Sequence, residues 1–234
     1  MSERSTLPKD EARRRYVELG ELAVLEQIRR DAERLDRHEI AIGPFARLDA
    51  NAVAARDGKT RGAITNLFGS QAAFQAETMS LALSAADWIA RLEYPPPEDF
   101  ATAGEWVDAL FAGESARGPA PGGEPAVTYG TLWALWLPAV PYGLWSAEVA
   151  RLSMEEHVLW VEQLAGVLGG ALEHFGLALR EGTALADLAS AVASLIEGVW
   201  LNQCLTDRHP ADPAEPIAAV LVRSGRLLWR GAVG

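Results

Sequence analysis

Residues Leu48 to Gln71 read LDANAVAARDGKTRGAITNLFGSQ, and the fold turns on this stretch. Asp49 is placed to cap a helix start, its carboxylate accepting from free backbone N–H groups. Ala50, Val53 and Ala54 then recur at i, i+3, i+4 on one small apolar face. Asp57-Gly58 ends that helix, because glycine takes the left-handed conformation that a chain reversal needs. Thr60 caps the next helix. Ile64, Leu67 and Phe68 again keep the i, i+3, i+4 spacing, which leaves Arg61, Gly62, Ala63, Thr65 and Asn66 outside. Two short helices around a glycine corner predict a helix-turn-helix, whose second helix meets base edges with its first turn.

At these residues the chain resembles the DNA-binding domain of the TetR family of transcriptional regulators. The matching runs are Val53-Ala54-Ala55-Arg56-Asp57-Gly58-Lys59-Thr60, Arg61-Gly62-Ala63-Ile64-Thr65-Asn66-Leu67-Phe68 and Ser70-Gln71-Ala72. Close motif similarity covers about 25 residues; beyond them only helix order and length agree. Three positions depart from the pattern. Thr65 stands where the family has a tyrosine that touches a phosphate, Leu67 where it has a second aromatic or histidine, and Gln71 where it has the lysine opening the next helix. The resemblance implies a dimeric DNA-binding protein with an inducer site in its larger domain. The departures imply a DNA affinity that is weakened or redirected.

The whole chain has 234 residues and a formal net charge of −11, which by itself speaks against a polyanionic partner. The charge is not evenly spread. Residues 1–71 hold 13 of the 21 Lys and Arg and 12 of the 32 Asp and Glu, a balance of +1, so the remainder carries −12. A head with so small a balance must bind DNA through a few placed groups rather than a broad basic field. Hydrophobic content of 49% suits a globular protein with a sizeable core. The single Cys204 excludes an internal disulfide, fits a reducing cytoplasm and reads as packing. The polar start from Met1 to Asp10 shows no secretory signal.

Outward from the reading head, periodicity predicts a first helix over Pro8 to His38, with Leu19, Leu22, Leu25, Ile28, Ala32 and Leu35 as its apolar stripe. Arg13, Arg14 and Arg15 near its start read as a solvated face, with a DNA-backbone arm as the alternative. Phe45 is expected to plug the small domain. Ser70 caps a fourth helix marked by Phe74, Ala82 and Trp88. Tyr94-Pro95-Pro96-Pro97 breaks it, and Glu98 to Ala112 resumes a helix with Phe100, Trp106, Val107, Leu110 and Phe111 inward. Pro125 to Ala147 has no charged residue over 23 positions, enough to span a bilayer. Its prolines, glycines and scattered aromatics favour two short buried helices broken at Pro138 and Pro141, with no membrane partner. Further helices follow over Ser146 to Phe175, from a Thr183 cap to Leu205, and from Asp212-Pro213 onward. The expected architecture is all-α, about nine helices and no strand: a helix-turn-helix head over residues 1–75 and a ligand-binding and dimerisation domain over 76–234.

Three groups of residues carry the functional expectations. Arg61 is placed to fork onto a guanine edge and Gly62 to let the backbone approach the groove wall. Lys59 and Thr60 suit phosphates; Ala63, Thr65 and Asn66 complete the DNA face. Next, the aromatics Trp106, Phe111, Tyr129, Trp133, Trp136, Tyr142, Trp145 and Trp160, with His157, read either as plain core or as the wall of a site for a small hydrophobic effector. Third, Leu185, Leu188, Val192, Leu195 and Val199, with Ile217, Val220, Leu221 and Leu228, are expected to pair with a second copy as a four-helix interface. A homodimer also follows from geometry, since one short recognition helix covers only a few base pairs.

Glu155-Glu156-His157 and Glu173-His174 lack the helical spacing that aims two ligands at one metal, and there is no nucleophile elbow, phosphate loop or zinc-protease motif. No metal, cofactor or catalytic activity is expected. The reading is a cytoplasmic repressor released from operator DNA by its effector. The alternative is an all-α small-molecule-binding protein whose degenerate head no longer binds an operator.

Overall fold

The computed structural model describes residues 9–83, 89, 92–118, 134–135, 137–206, 208–209 and 212–234. Among these the chain is all-α apart from one small ladder. The helices are α1 (Lys9–Asp36), α2 (Ala50–Arg56), α3 (Arg61–Phe68), α4 (Gln71–Leu83), α5 (Ala103–Arg117), α6 (Ala147–His174), α7 (Leu185–Gln203) and α8 (Ile217–Ala232). Short 3₁₀ helices lie at Gly43–Arg47, Pro97–Asp99 and Leu137–Leu144. The expectation of no strand is corrected: β1 (Arg208–His209) pairs antiparallel with β2 (Asp212–Pro216). Asp212-Pro213 therefore sits in a strand, and α8 starts later, with Pro216 at its N-cap position. Nor does Thr183 cap α7, whose N-cap residue is Ala184, without a side-chain bond.

The chain forms two compact units. Unit one comprises residues 1–80 and 138–151, and unit two comprises 81–137 and 152–234. Residues 138–151 thus join the N-terminal segment in unit one.

In unit one, α1 is anchored by its last turns. Ala32 and Leu35 are buried, whereas Leu19, Leu22 and Leu25 are exposed, so the expected stripe is used only at its C-terminal end. Asp36 closes α1 and caps α6: its carboxylate accepts from the Ser146 hydroxyl at 2.6 Å and from the backbone N–H groups of Glu148 at 3.1 Å and Ala147 at 3.3 Å. Partial burial works to raise its pKa, but these donors outweigh that and hold it below the ordinary aspartate value. Leu137–Leu144 is a 3₁₀ helix that carries Pro141 inside it rather than breaking there, and Ala139 is its buried residue; Ala134 and Leu135 ahead of it are α-helical. The remainder of the uncharged run, 125–133 and 136, lies outside the described residues.

In unit two, α5, α7 and α8 pack on one another around Trp106, Phe111, Trp200, Ile196 and Leu221, with Leu164 and Leu168 of α6 in the same core. Helix α5 opens on a full capping box, with the Thr102 hydroxyl and Glu105 carboxylate each taking the other's backbone N–H. The proline run ahead of it is held by Trp106, whose Nε1 donates to the Pro95 carbonyl at 2.8 Å. Helix α7 is long and apolar enough to cross a membrane by length and composition. In unit two its apolar face packs inward through Leu188, Val192, Ile196, Val199 and Trp200. Arg180 closes α8, donating to the carbonyls of Arg230 at 3.0 Å and Val233 at 3.1 Å.

The α5–α8 contact depends on the bare backbone of Gly225, because a Cβ there would collide with the Phe111 ring. Gly225→Ala is expected to destabilise the protein by about 1–3 kcal/mol through overpacking, despite the better helix propensity of alanine. Thermal unfolding should show a fall of several degrees, and an unchanged or raised midpoint would refute the close packing.

Candidate nucleic-acid interface

The head is built on Gly58. Its φ of +66° is the left-handed conformation expected of it. Around it Lys59 N–H bonds the Ala54 carbonyl at 2.9 Å and Gly58 N–H bonds Ala55 at 3.1 Å. This is the Schellman arrangement that closes a helix and turns the chain sharply away. The start of α2 follows expectation too, with Asp49 accepting from Asn51 N–H at 2.9 Å. Ala50, Ala54, Ile64 and Phe74 form the buried core of the head, joined by Leu48, Val53 and Phe68. The Phe68 and Phe74 rings meet at 5.1 Å.

This core decides which side of α3 is outside. Ile64 is buried and Phe68 half-buried, while Arg61, Gly62, Thr65 and Asn66 are exposed and Ala63 is half-buried. Leu67 corrects the pattern: it is 80% exposed, not part of the apolar face. In so short a helix the buried arc is filled by Ile64 and Phe68, which leaves Leu67 on the flank. Thr60 occupies the N-cap position of α3 but its side chain makes no capping bond there. Lys59 pairs with Asp57 at 2.5 Å on the surface, an exposed contact of little net energy that a phosphate can displace.

Gln71, read from the sequence as a departure, has a structural task. Its Oε1 accepts from Ala50 N–H at 3.1 Å and its Nε2 donates to the Leu48 carbonyl. Gln75 adds bonds to the carbonyls of Leu48 at 2.9 Å and Ala46 at 3.1 Å. Two glutamines on α4 thus tie down the entry to α2. The only sequence signal was their i, i+4 spacing; the partners lie more than twenty residues away.

The nine expected effector residues divide between the two units and the residues outside the described ones. Trp106, Phe111 and Trp160 are wholly buried core of unit two. Trp106 meets Trp229 at 5.7 Å, and Trp160 stacks on Trp200 at 5.7 Å with planes 15° apart. His157 is half-exposed, its Nδ1 3.7 Å from a Glu197 oxygen. Burial raises the Glu197 pKa, with His157 opposing the shift. Tyr142 and Trp145 belong to unit one. Tyr129, Trp133 and Trp136 lie outside the described residues. A cavity of about 330 Å³ opens in unit two against Thr102, Gly104, Asp108, Arg226, Trp229 and Arg230, and none of the nine lines it. Cys204 is half-buried, and burial pushes its thiol up, away from the reactive thiolate.

The expected dimer residues are also revised. Leu188, Val192, Val199, Ile217 and Leu221 are buried within unit two, and Leu185, Leu195, Val220 and Leu228 pack half-buried against the same core. The five buried residues are committed to the chain's own core and are not free for a second copy. The large apolar side chains that stand exposed here are Leu201 on α7, Leu205 just past its end, and Leu227 on α8. Met154, Val158 and Leu159 are exposed on α6. Periodicity located an apolar stripe, and the chain's own core takes up Leu188, Val192, Val199, Ile217 and Leu221 of it.

The glutamine clamp is testable. Gln71→Leu removes the partner of Ala50 N–H and is expected to weaken local stability at the start of α2 by about 1 kcal/mol. Hydrogen exchange at Ala50 and Asn51 should then quicken roughly fivefold, with amides of unit two unchanged. Equal protection in the variant would show that the clamp does nothing.

No family model matches the chain, and no curated protein matches it. Among solved structures, a crystal structure of a chain assigned to the TetR family of transcriptional regulators, from Rhodococcus sp., is similar over 86% of this chain and 98% of that one, with 16% identity and a TM-score of 0.49. A likeness at that identity and score assigns no function.

Proposed function

We propose that the protein is a DNA-binding transcriptional regulator that reads duplex DNA with α3 and responds to a small effector held in unit two. One observation carries this reading: the head core leaves Arg61, Gly62, Thr65 and Asn66 facing solvent on a short helix behind a tight glycine corner. That outward set combines a guanidinium able to fork onto guanine, two short polar side chains for edges or phosphates, and a bare backbone position. The N-terminus of α3 and the uncommitted Thr60 hydroxyl suit a phosphate.

We also infer a homodimer. Two heads on a two-fold axis reach half-sites about 34–36 Å apart, or a multiple of that spacing. Exposed apolar side chains that could supply a surface for it are Met154, Val158 and Leu159 of α6, Leu201 of α7 and Leu205 just past the end of α7. Effector binding then regulates by favouring one spacing of the heads, to the extent that it binds one state more tightly than the other.

Selection from a random-sequence duplex pool tests the DNA reading. The protein should enrich an inverted repeat, and binding should weaken as salt rises. Arg61→Ala should cost roughly 1–3 kcal/mol per head and relax one base position, with the circular dichroism spectrum unchanged. A pool that never converges at any salt would instead favour a ligand-binding protein with a vestigial head. For the dimer, Leu205→Glu should yield monomers in sedimentation; a wild-type protein that sediments as a monomer at high concentration would end that proposal.

A further inference from the structure

We propose that the cavity between the start of α5 and the last turns of α8 is a binding site for a small carboxylic acid with an apolar body, held by the Arg230 guanidinium and the Trp229 indole N–H, and that this acid is the effector. The proposal rests on the effector reading above and names its chemistry and its place.

The cavity measures about 330 Å³, room for a molecule of one ring or a short branched chain. Its lining joins residues at the start of α5 to Arg226, Trp229 and Arg230 of α8, all within unit two. Val107 and Trp229 supply the apolar part of that lining, and both belong to the core. A packed core holds such side chains in place before a ligand arrives, which lowers the cost of binding.

Trp229 brings a donor without an acceptor. Among the described residues four tryptophans are buried in unit two. Nε1 of Trp106 donates to the Pro95 carbonyl at 2.8 Å, that of Trp160 to the Tyr94 hydroxyl at 3.1 Å, and that of Trp200 to the Glu114 carbonyl at 2.8 Å. The Trp229 Nε1 has no acceptor among the described residues, although Trp229 is only 8% exposed. An indole N–H that is buried usually finds a partner. This one is not sealed in, as Glu114 Oε2, Gln163 Oε1 and Gln203 Oε1 are. It is therefore reached from outside, and Trp229 lines the cavity.

The charged groups of the lining leave a surplus of the same kind. Arg226 donates from Nε and Nη2 to the two Asp108 oxygens, so each offsets the other's charge. Glu105 serves the cap of α5, its Oε2 accepting from Thr102 N–H at 3.1 Å. Both carboxylates are thus engaged. The Arg230 guanidinium has no acceptor among the described residues. The carbonyls of Arg230 and Val233 at the end of α8, which would repel an anion, are taken by Arg180. The Gly104 N–H, in the first turn of α5, has no partner within its helix, and a Cβ at Gly104 would meet nothing nearer than the Thr102 hydroxyl at 3.9 Å. The cavity therefore offers free donors, one of them cationic, beside the positive end of a helix. Their complement is a carboxylate, whose two oxygens match the guanidinium fork. Trp229 and Val107 favour an apolar body on that acid over a bare ion.

The test uses the full-length protein with benzoate as the probe. Benzamide is the neutral counterpart of similar shape, benzylammonium the cation, and acetate the acid without a ring. Calorimetry should show benzoate binding saturably at millimolar concentration or below, about tenfold more tightly than benzamide or acetate, with benzylammonium weaker still. Arg230→Gln should bring benzoate down to the level of benzamide and leave the melting temperature unchanged, because that side chain is exposed. In a magnetic resonance spectrum of the nitrogen-labelled protein, benzoate should shift one indole N–H signal, the one that Trp229→Phe removes.

No saturable binding of benzoate, equal affinity for benzamide or acetate, or preference for benzylammonium would overturn the proposal. Benzoate binding untouched by Arg230→Gln would overturn this location. Binding that requires Arg230 yet leaves the affinity for a selected duplex unchanged would support the site and overturn its role as the effector site. A protein that binds benzoate as expected but selects no DNA sequence would support the site and overturn the regulator.

Discussion

The left-handed backbone at Gly58 is the constraint on which the head depends. Three hydrogen bonds close α2 around it, and the chain leaves in the one direction that lets Ile64 and Phe68 join Ala50, Ala54 and Phe74. A side chain with a Cβ would be strained at that φ, and α3 would lose its register on the small core. Because the core is only a few residues wide, each apolar contact matters to which arc of α3 is solvent-facing. The exposure of Arg61, Thr65 and Asn66 is therefore a consequence of core geometry rather than of local helix preference.

The head is fixed a second time from outside itself. Gln71 and Gln75 on α4 bond the entry to α2, and Asp36 at the end of α1 caps the first turn of α6. These are polar bonds between segments far apart in the chain. The Gln71 and Asp36 bonds satisfy N–H groups in the first turns of α2 and α6, which have no partner within the helix. Positioning here rests on directional bonds because the core of the head is too small to impose orientation by burial alone.

Unit two reverses that balance. Its order comes from large aromatic side chains, Trp106, Phe111, Trp160, Trp200 and Trp229, interlocked with glycines that admit close approach. Inside this apolar body the Glu114–Arg117 pair and the glutamine amides are exceptions. A buried charge pair is weak support for stability, since desolvation offsets the attraction.

The sequence by itself determined the all-α class, the helix corner at Asp57-Gly58, the Asp49 cap and the outward placement of Arg61, Gly62, Thr65 and Asn66. These depend on contacts within a few residues, where spacing and backbone preference act directly. Leu67 lay beyond that reach, because a period of 3.6 residues admits it to the apolar face and only the width of the packed arc excludes it. The same limit explains the aromatic and leucine stripes of unit two. Periodicity marks a side as apolar but does not say whether a ligand, a second copy or the chain's own helices cover it, and the tertiary structure assigned Leu188, Val192 and Leu221 to the last. The β1–β2 ladder and the task of Gln71 were equally hidden, since each is defined by partners that only the folded chain brings into reach.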